Sequence, residues 1–131
     1  MDNHYQPGHC NIGQKEIALR KKFFRFFAAF ALFLTFAGIA WCYSIFVWIA
    51  LLISVFAVIV IHLEIRYRFC ILFGFFGLYN FDKLGVLHEV TDRDDARQDR
   101  RRVLQIVIES LVVSLAYASI IHLAATYVHG S

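Results

Sequence analysis

Residues 44 to 63 read SIFVWIALLISVFAVIVIHL, and none of these twenty positions carries Asp, Glu, Lys or Arg. A helix needs about 20 mostly apolar residues to cross the hydrocarbon core of a bilayer, and this stretch reaches that length. Two further apolar stretches lie at residues 23 to 41 and 103 to 128. The sequence therefore predicts an all-α membrane protein with three transmembrane helices. The first two are expected to form an antiparallel hairpin, because only residues 42 and 43 separate them.

The composition agrees with a membrane protein. The chain has 131 residues, of which 60% are hydrophobic and fourteen are Phe. A soluble domain of this size has too little interior to bury so much apolar surface, whereas lipid accommodates it. We expect a single membrane domain over residues 1 to 131. A cleaved signal sequence is not expected, since a second apolar stretch follows the first almost directly.

The positive charges indicate an orientation. All thirteen Lys and Arg residues fall within residues 15 to 25 and 66 to 102. Basic segments beside spanning helices stay on the cytoplasmic side, and three spans put both segments on one side. We predict a multi-pass protein of the cell inner (plasma) membrane, with the N-terminus cytoplasmic and the C-terminus outside. The basic residues would face anionic lipid, and no nucleic-acid recognition motif accompanies them, so the lipid bilayer is an expected partner and nucleic acid is not.

Three segments lie outside the predicted spans. Residues 1 to 10 are expected to form a tail, and its polar part, Met1 to Gly8, is expected to be mobile. Residues 69 to 81 are apolar but too short to span, which predicts an interfacial or re-entrant segment. Residues 82 to 102 are strongly charged, with acidic residues first and arginines last. They are expected to form a cytoplasmic loop and an extension of the third helix.

Small residues recur along two of the predicted helices. On the first helix they are spaced by three and four, at Ala28, Ala31, Thr35, Gly38 and Cys42. The third helix has a stripe of small and polar residues in steps of four, at Ser110, Ser114, Ala118, His122 and Thr126. Small side chains let helix backbones approach closely in lipid. The stripes therefore predict helix packing, with Ala31, Thr35, Gly38 and Ala118 as its main residues.

Two ionisable residues, Glu109 and His122, fall inside the third predicted span. An ionisable group in a membrane is costly and normally faces protein or water with a partner. With the hydroxyls of Ser110 and Ser114, these residues form a candidate path for proton or ion conduction by an oligomer. They are thirteen residues apart, about 20 Å along a helix. We therefore favour the interpretation that they are polar packing groups.

The cysteines give another hypothesis. The predicted topology places Cys10 and Cys70 on the cytoplasmic side, where thiols stay reduced, and Cys42 at the outer edge, so no disulfide is expected. Thiol and imidazole side chains are ligands for zinc, copper or iron, and four of them could converge at the inner interface: His9, Cys10, His62 and Cys70. Their spacing matches no standard metal motif. A thiol- or metal-handling membrane protein using Cys10 and Cys70 stays open as the alternative.

Catalytic templates are missing from the sequence. It has no phosphate-binding glycine loop, no G-x-S-x-G elbow and no metalloprotease helix motif. We therefore predict that the chain is not an enzyme, and the sequence identifies no cofactor. The leading interpretation is an accessory or scaffold protein that self-associates or packs against a larger membrane complex.

Two local motifs resemble those of a known family. The first is Asn11-Ile12-Gly13 followed by Glu16 and Arg20, and the second is Cys70-Ile71-Leu72-Phe73 followed by Gly77. Over about residues 11 to 77 the pattern resembles the YgaP-like transmembrane domain family. The resemblance implies a bacterial inner-membrane helical hairpin that is able to self-associate, and it implies no activity. Ile71 stands where the family has proline, and the third helix lies beyond the family's hairpin.

Overall fold

A computed structural model describes residues 5–41, 44–81, 84 and 86–130. Within these residues the elements are α1 (Gln14–Ala40), α2 (Ile45–Tyr67), α3 (Ile71–Phe76), β1 (Leu78–Tyr79), β2 (His88–Glu89) and α4 (Arg93–Gly130). Helices α1, α2 and α4 are each long and apolar enough to cross a membrane. The predicted all-α fold with three candidate spans is therefore confirmed.

The ends of α2 follow from local chemistry. Before its first residue, the Ser44 hydroxyl accepts a hydrogen bond of 3.3 Å from the Val47 amide and so caps the helix. At the other end, Arg68 adopts a left-handed conformation with φ of 54°, and its amide bonds to the Glu64 carbonyl. A left-handed residue at this position ends a helix and turns the chain sharply. The turn directs the chain from α2 into α3.

Helix α4 is longer than its apolar stretch. It begins at Arg93 and has 38 residues, which corresponds to about 57 Å. Its first residues are charged, and Asp94 and Asp95 lie in the first turn, where acidic side chains match the helix dipole. The charged start and the apolar remainder, from Val103 onward, form one continuous helix.

The three long helices share one apolar core. Ala31 and Leu34 of α1 pack with Leu51 and Val55 of α2, and Tyr117 of α4 is among the side chains that cover this cluster. The hydroxyls of Thr35 and Tyr117 share a hydrogen bond of 3.0 Å, which also joins α1 to α4. At the far end, Nε2 of His129 donates to the Ile39 carbonyl at 2.6 Å. Helix α4 therefore contacts α1 near both its middle and its end.

The small-residue stripes lie largely inside this bundle. Ala31, Thr35 and Gly38 are buried, and Ala28 is half-buried. Three residues of the α4 stripe are completely buried: Ser110, Ser114 and Ala118. Cys42, the last member of the first stripe, lies outside the described residues.

The stripe of α4 leaves the interface after Ala118. His122 and Thr126 are exposed, and Ala125 is buried instead. Steps of four overshoot a helical turn by about 40°, whereas a step of seven nearly returns to the same face. The prediction from steps of four was therefore wrong for the last two positions.

The expectation of a mobile tail is wrong for residues 5 to 8, which belong to a structured segment at residues 5 to 10. They form a turn in which the Gln6 amide donates to the Cys10 carbonyl at 2.8 Å. The turn is bound to α4, because the Tyr5 hydroxyl and the Gly8 amide each donate to the Asp99 carboxylate at 2.7 Å. Arg102 donates back to the Gly8 carbonyl, also at 2.7 Å. The Tyr5 side chain and the Gly8 backbone thus bond to α4 within the protein.

The apolar segment at residues 69 to 81 folds against the end of the bundle. Phe69 is completely buried, and Gly74 lies so close to its ring that a Cβ there would be 2.5 Å from Phe69 Cζ. Leu72, Phe75 and Phe76 of α3 are exposed on the outside. Strand β1 then pairs antiparallel with β2, with Leu78 opposite Glu89. The segment therefore holds a short helix and a short strand, and its interfacial or re-entrant position stays a prediction.

Candidate functional site

Several buried polar side chains meet where α1 begins and α2 ends. Asn11 and Asn80 have no exposed surface, and Glu16 and Glu64 are each 7% exposed. Together with Arg20 they form what we call the polar junction. Buried charges and amides are costly unless each finds a partner, so their bonding decides what the junction can do.

Asn11 ties the N-terminal segment to the turn after α2. Its Oδ1 accepts from the Cys70 amide at 2.7 Å, and its Nδ2 donates to the Cys70 carbonyl at 3.2 Å. Its own amide donates to the Arg68 carbonyl at 3.0 Å. One side chain therefore satisfies both backbone groups of a buried residue that lies 59 positions away.

Arg20 lies between two carboxylates. Its Nη1 lies 2.5 Å from Glu16 Oε2, four residues earlier on α1, and its Nε lies 3.2 Å from Glu64 Oε2 on α2. The guanidinium also lies 5.9 Å from the centre of the Phe73 ring of α3. A single cation thus joins three helices.

Neutral donors complete the bonding of the two carboxylates. Oε1 of Glu16 accepts from the Asn80 amide group at 3.1 Å, and Oε1 of Glu64 accepts from the Ile71 backbone amide at 3.1 Å. All four carboxylate oxygens therefore accept a hydrogen bond. A buried ion pair persists when its remaining lone pairs are satisfied in this way.

The backbone near Gly13 closes the junction from the other side. The Gly13 amide donates to the Asn80 carbonyl at 2.8 Å, and the Asn80 amide donates to the Asn11 carbonyl at 2.9 Å. A Cβ at Gly13 would come within 3.0 Å of Phe81 Cα. Glycine is therefore required for this close approach of the two chain segments.

The two described cysteines, Cys10 and Cys70, are free thiols and are buried. Burial raises the pKa of the Cys10 thiol, with Arg68 opposing the rise. Burial also raises the pKa of the Cys70 thiol, and the Glu64 charge adds to this rise while Arg20 opposes it. Reactive cysteines have depressed pKa values and exposed sulfurs, so neither thiol resembles a nucleophile.

The predicted metal ligands are not brought together. His9 is exposed on the N-terminal turn, and His62 is exposed on α2 with its ring 6.0 Å from that of Phe24. Across residues 5–41, 44–81, 84 and 86–130, no group of three or more His, Cys, Asp or Glu side chains is placed to hold a metal ion. Cys42 lies outside the described residues.

The predicted intramembrane polar residues are also dispersed. Glu109 is half-buried and accepts a hydrogen bond of 2.9 Å from Gln105. His122 is exposed, with its ring 6.4 Å from that of Trp48. Between them, Ser114 donates to the Leu111 carbonyl at 3.0 Å, and among the described residues the buried Ser110 hydroxyl has no hydrogen-bond partner. These groups do not form a continuous hydrogen-bonded path.

Sequence reasoning missed two of the five residues of the polar junction. It singled out Asn11, Glu16 and Arg20, but it gave no partner to Glu64 and no role to Asn80. One signal for Glu64 was available, because this acidic residue follows the apolar residues 44 to 63 directly. A carboxylate there needs a cation or several donors from another segment.

Comparison with known proteins gives no relative: no family model, no curated protein and no solved structure matches this chain. The geometry of the polar junction and of the helix faces is therefore the basis for a functional proposal.

Proposed function

We propose that this chain is a non-enzymatic structural module of the membrane, an accessory or scaffold protein that self-associates or packs against a larger membrane protein. The carrying observation is that the side chains of the polar junction join segments of the chain to one another. All four carboxylate oxygens of Glu16 and Glu64 accept hydrogen bonds. The side-chain amide of Asn11 accepts from the Cys70 backbone amide and donates to the Cys70 carbonyl. Groups engaged in this way hold a fold together and are poorly suited to exchange protons or bind substrate.

The outer faces of the helices support an interaction role. On α1 a face of large aromatic side chains is 42–70% exposed, formed by Phe23, Phe26, Phe30, Phe33 and Phe36. In lipid no hydrophobic force drives helices together, so such a face is covered by acyl chains or by well-fitting side chains of another protein. Exposed large apolar side chains, most of them aliphatic, also lie on α2 and α4.

The alternatives receive less support from the geometry. Thiol or metal handling would need accessible sulfur, whereas Cys10 and Cys70 are buried. Proton or ion conduction would need a chain of bonded groups, whereas Glu109 and His122 are about 20 Å apart along α4. We therefore propose neither.

An orientation is part of the proposal. Helix α1 begins, α2 ends and α4 begins at the same end of the bundle, as the Arg20–Glu64 and Gly8–Asp99 contacts require. Both basic segments lie there, which favours that end as the cytoplasmic side of a bacterial inner membrane. Three of the residues that resemble the YgaP-like family, Asn11, Glu16 and Arg20, belong to the polar junction, and an inner-membrane location is what that resemblance implies. A reporter enzyme fused after Ser131 should be active outside the cytoplasm, and cytoplasmic activity would contradict this orientation.

Co-purification tests the interaction role. We expect the tagged full-length chain, expressed at native level and extracted in mild detergent, to give a homo-oligomer or a stoichiometric complex by native mass measurement. The control is the same preparation in a harsh detergent, which should release the monomer. Monomer alone under mild extraction, with no second membrane protein, would contradict the proposal.

A further inference from the structure

A small cavity lies where the N-terminal turn crosses α4. Its volume is about 210 Å³, and it is lined by Pro7 to His9, Gln98, Arg101, Arg102 and Gln105. The wall on one side is the turn held by Asp99, and the wall on the other side is one face of α4. The cavity is therefore formed by two segments that are far apart in sequence.

Arg102 is held in a fixed position at this cavity. Its Nε donates to the Gly8 carbonyl at 2.7 Å, its Nη1 donates to Gln105 at 3.0 Å, and its guanidinium lies 4.9 Å from the centre of the Tyr67 ring. A guanidinium has five N–H donors in a rigid plane, and these two bonds use two of them. Donors therefore remain on a group whose orientation is already set.

The balance of charge in the cavity is positive. Arg101 is exposed beside Arg102. Among the described residues that line the cavity there is no Asp or Glu. Asp99 of the same helix lies behind the N-terminal turn, from which both of its carboxylate oxygens accept hydrogen bonds. Two arginines at a small polar cavity suit a phosphate group, which guanidinium planes bind with several hydrogen bonds.

The depth of the cavity indicates where that phosphate comes from. Arg102 directly precedes Val103, the first residue of the long apolar part of α4. The headgroup layer lies at the level where an apolar span begins, and basic pockets at that level bind anionic lipids. We propose that this cavity binds the phosphate of an anionic phospholipid headgroup, clamped between the N-terminal turn and α4. The site does not depend on the proposed function or on the partner.

Lipid binding to the full-length chain tests the site. Native mass spectrometry in detergent would measure binding of phosphatidylglycerol, with phosphatidylcholine as the zwitterionic comparison and inorganic phosphate as a competitor. We expect phosphatidylglycerol to bind in preference to phosphatidylcholine. In Arg101→Gln, its affinity should fall roughly fivefold, the effect of one basic residue near a membrane surface.

The matched control is Arg100→Gln, an exposed arginine on the same helix that does not line the cavity. It should leave the affinity for phosphatidylglycerol unchanged. Equal losses in the two variants would overturn the proposal, because general surface charge would then explain the binding. Displacement of phosphatidylglycerol by inorganic phosphate at a comparable concentration would overturn the lipid as the occupant, because the free ion would then be preferred.

Discussion

Arg20 on α1 and Glu64 on α2 lie 44 residues apart in sequence, yet Arg20 Nε donates to Glu64 Oε2 at 3.2 Å. Their side chains are 12% and 9% exposed, so the pair is nearly removed from solvent. The same guanidinium forms an ion pair with Glu16. The second carboxylate oxygen of Glu16 accepts from the Asn80 side chain, and that of Glu64 accepts from the Ile71 amide. The hairpin end is therefore joined by an ionic group in which all four carboxylate oxygens accept hydrogen bonds.

Removing the cation of the polar junction should destabilise the fold strongly. Arg20→Met leaves two buried carboxylates without their counter-charge, and breaking a buried pair in this way costs about 3 kcal/mol or more. We expect the free energy of unfolding to fall by that amount, measured by denaturant titration in detergent. Lys22→Met, an exposed cation two residues away, serves as the control and should change it by less than about 0.5 kcal/mol. Equal effects of the two variants would mean that Arg20 acts as ordinary surface charge.

The buried thiols should react slowly and only at high pH. The thiolate is the attacking form, and burial raises the pKa of both Cys10 and Cys70 in the folded protein. At any given pH the folded chain therefore holds less thiolate than the unfolded chain, and the midpoint of the rate should move above the usual value of about 8.5. Alkylation in a Cys42→Ser background, followed by mass spectrometry, measures this rate. A folded rate equal to that of the denatured chain would contradict the burial of these thiols.

The N-terminal turn should depend on Asp99. Asp99→Ala removes the acceptor of both the Tyr5 hydroxyl and the Gly8 amide, and bonds to a charged group contribute about 1.5 to 3 kcal/mol each. We expect residues 5 to 10 to lose protection from hydrogen exchange while the centres of α1 and α2 keep theirs. Asp94→Ala, an exposed residue of the same helix, is the control and should leave the turn protected. Unchanged exchange at Gly8 in Asp99→Ala would show that other contacts hold the turn.

The long helices were predictable because hydropathy is local along the chain. Residues 44 to 63 identify α2 without reference to any other segment. The bonds of the polar junction are different, since Asn11 and Glu16 find partners 59 and 64 positions away, and no local pattern encodes such pairs. The ion pair between Glu16 and Arg20 is the exception, because these residues are four apart on one helix and such a pair is local along the chain.

The composition of the N-terminal segment gave a wrong prediction because its bonding partner is also distant in sequence. A short polar segment with a proline is typical of a solvated tail, but Tyr5 and Gly8 use their polar groups on Asp99 of α4. Asp99 lies in the segment at residues 82 to 102 that was expected to include an extension of the third helix, and its burial follows only from the position of the N-terminal turn. The predicted stripe of α4 is wrong after Ala118, because residues on one face of a helix recur every 3.6 positions and not every four.

Site-specific photo-crosslinking in native membranes tests the interaction role most directly. A photoreactive residue is placed at one of three exposed positions, Phe33 of α1, Ile53 of α2 or Leu123 of α4, and at the fully buried Leu51 as the control. We predict that at least one exposed position forms a crosslink to a second copy of the chain or to another membrane protein, while Leu51 reacts only within the chain. Reaction of all three exposed positions with lipid alone, at native expression level, would contradict the account.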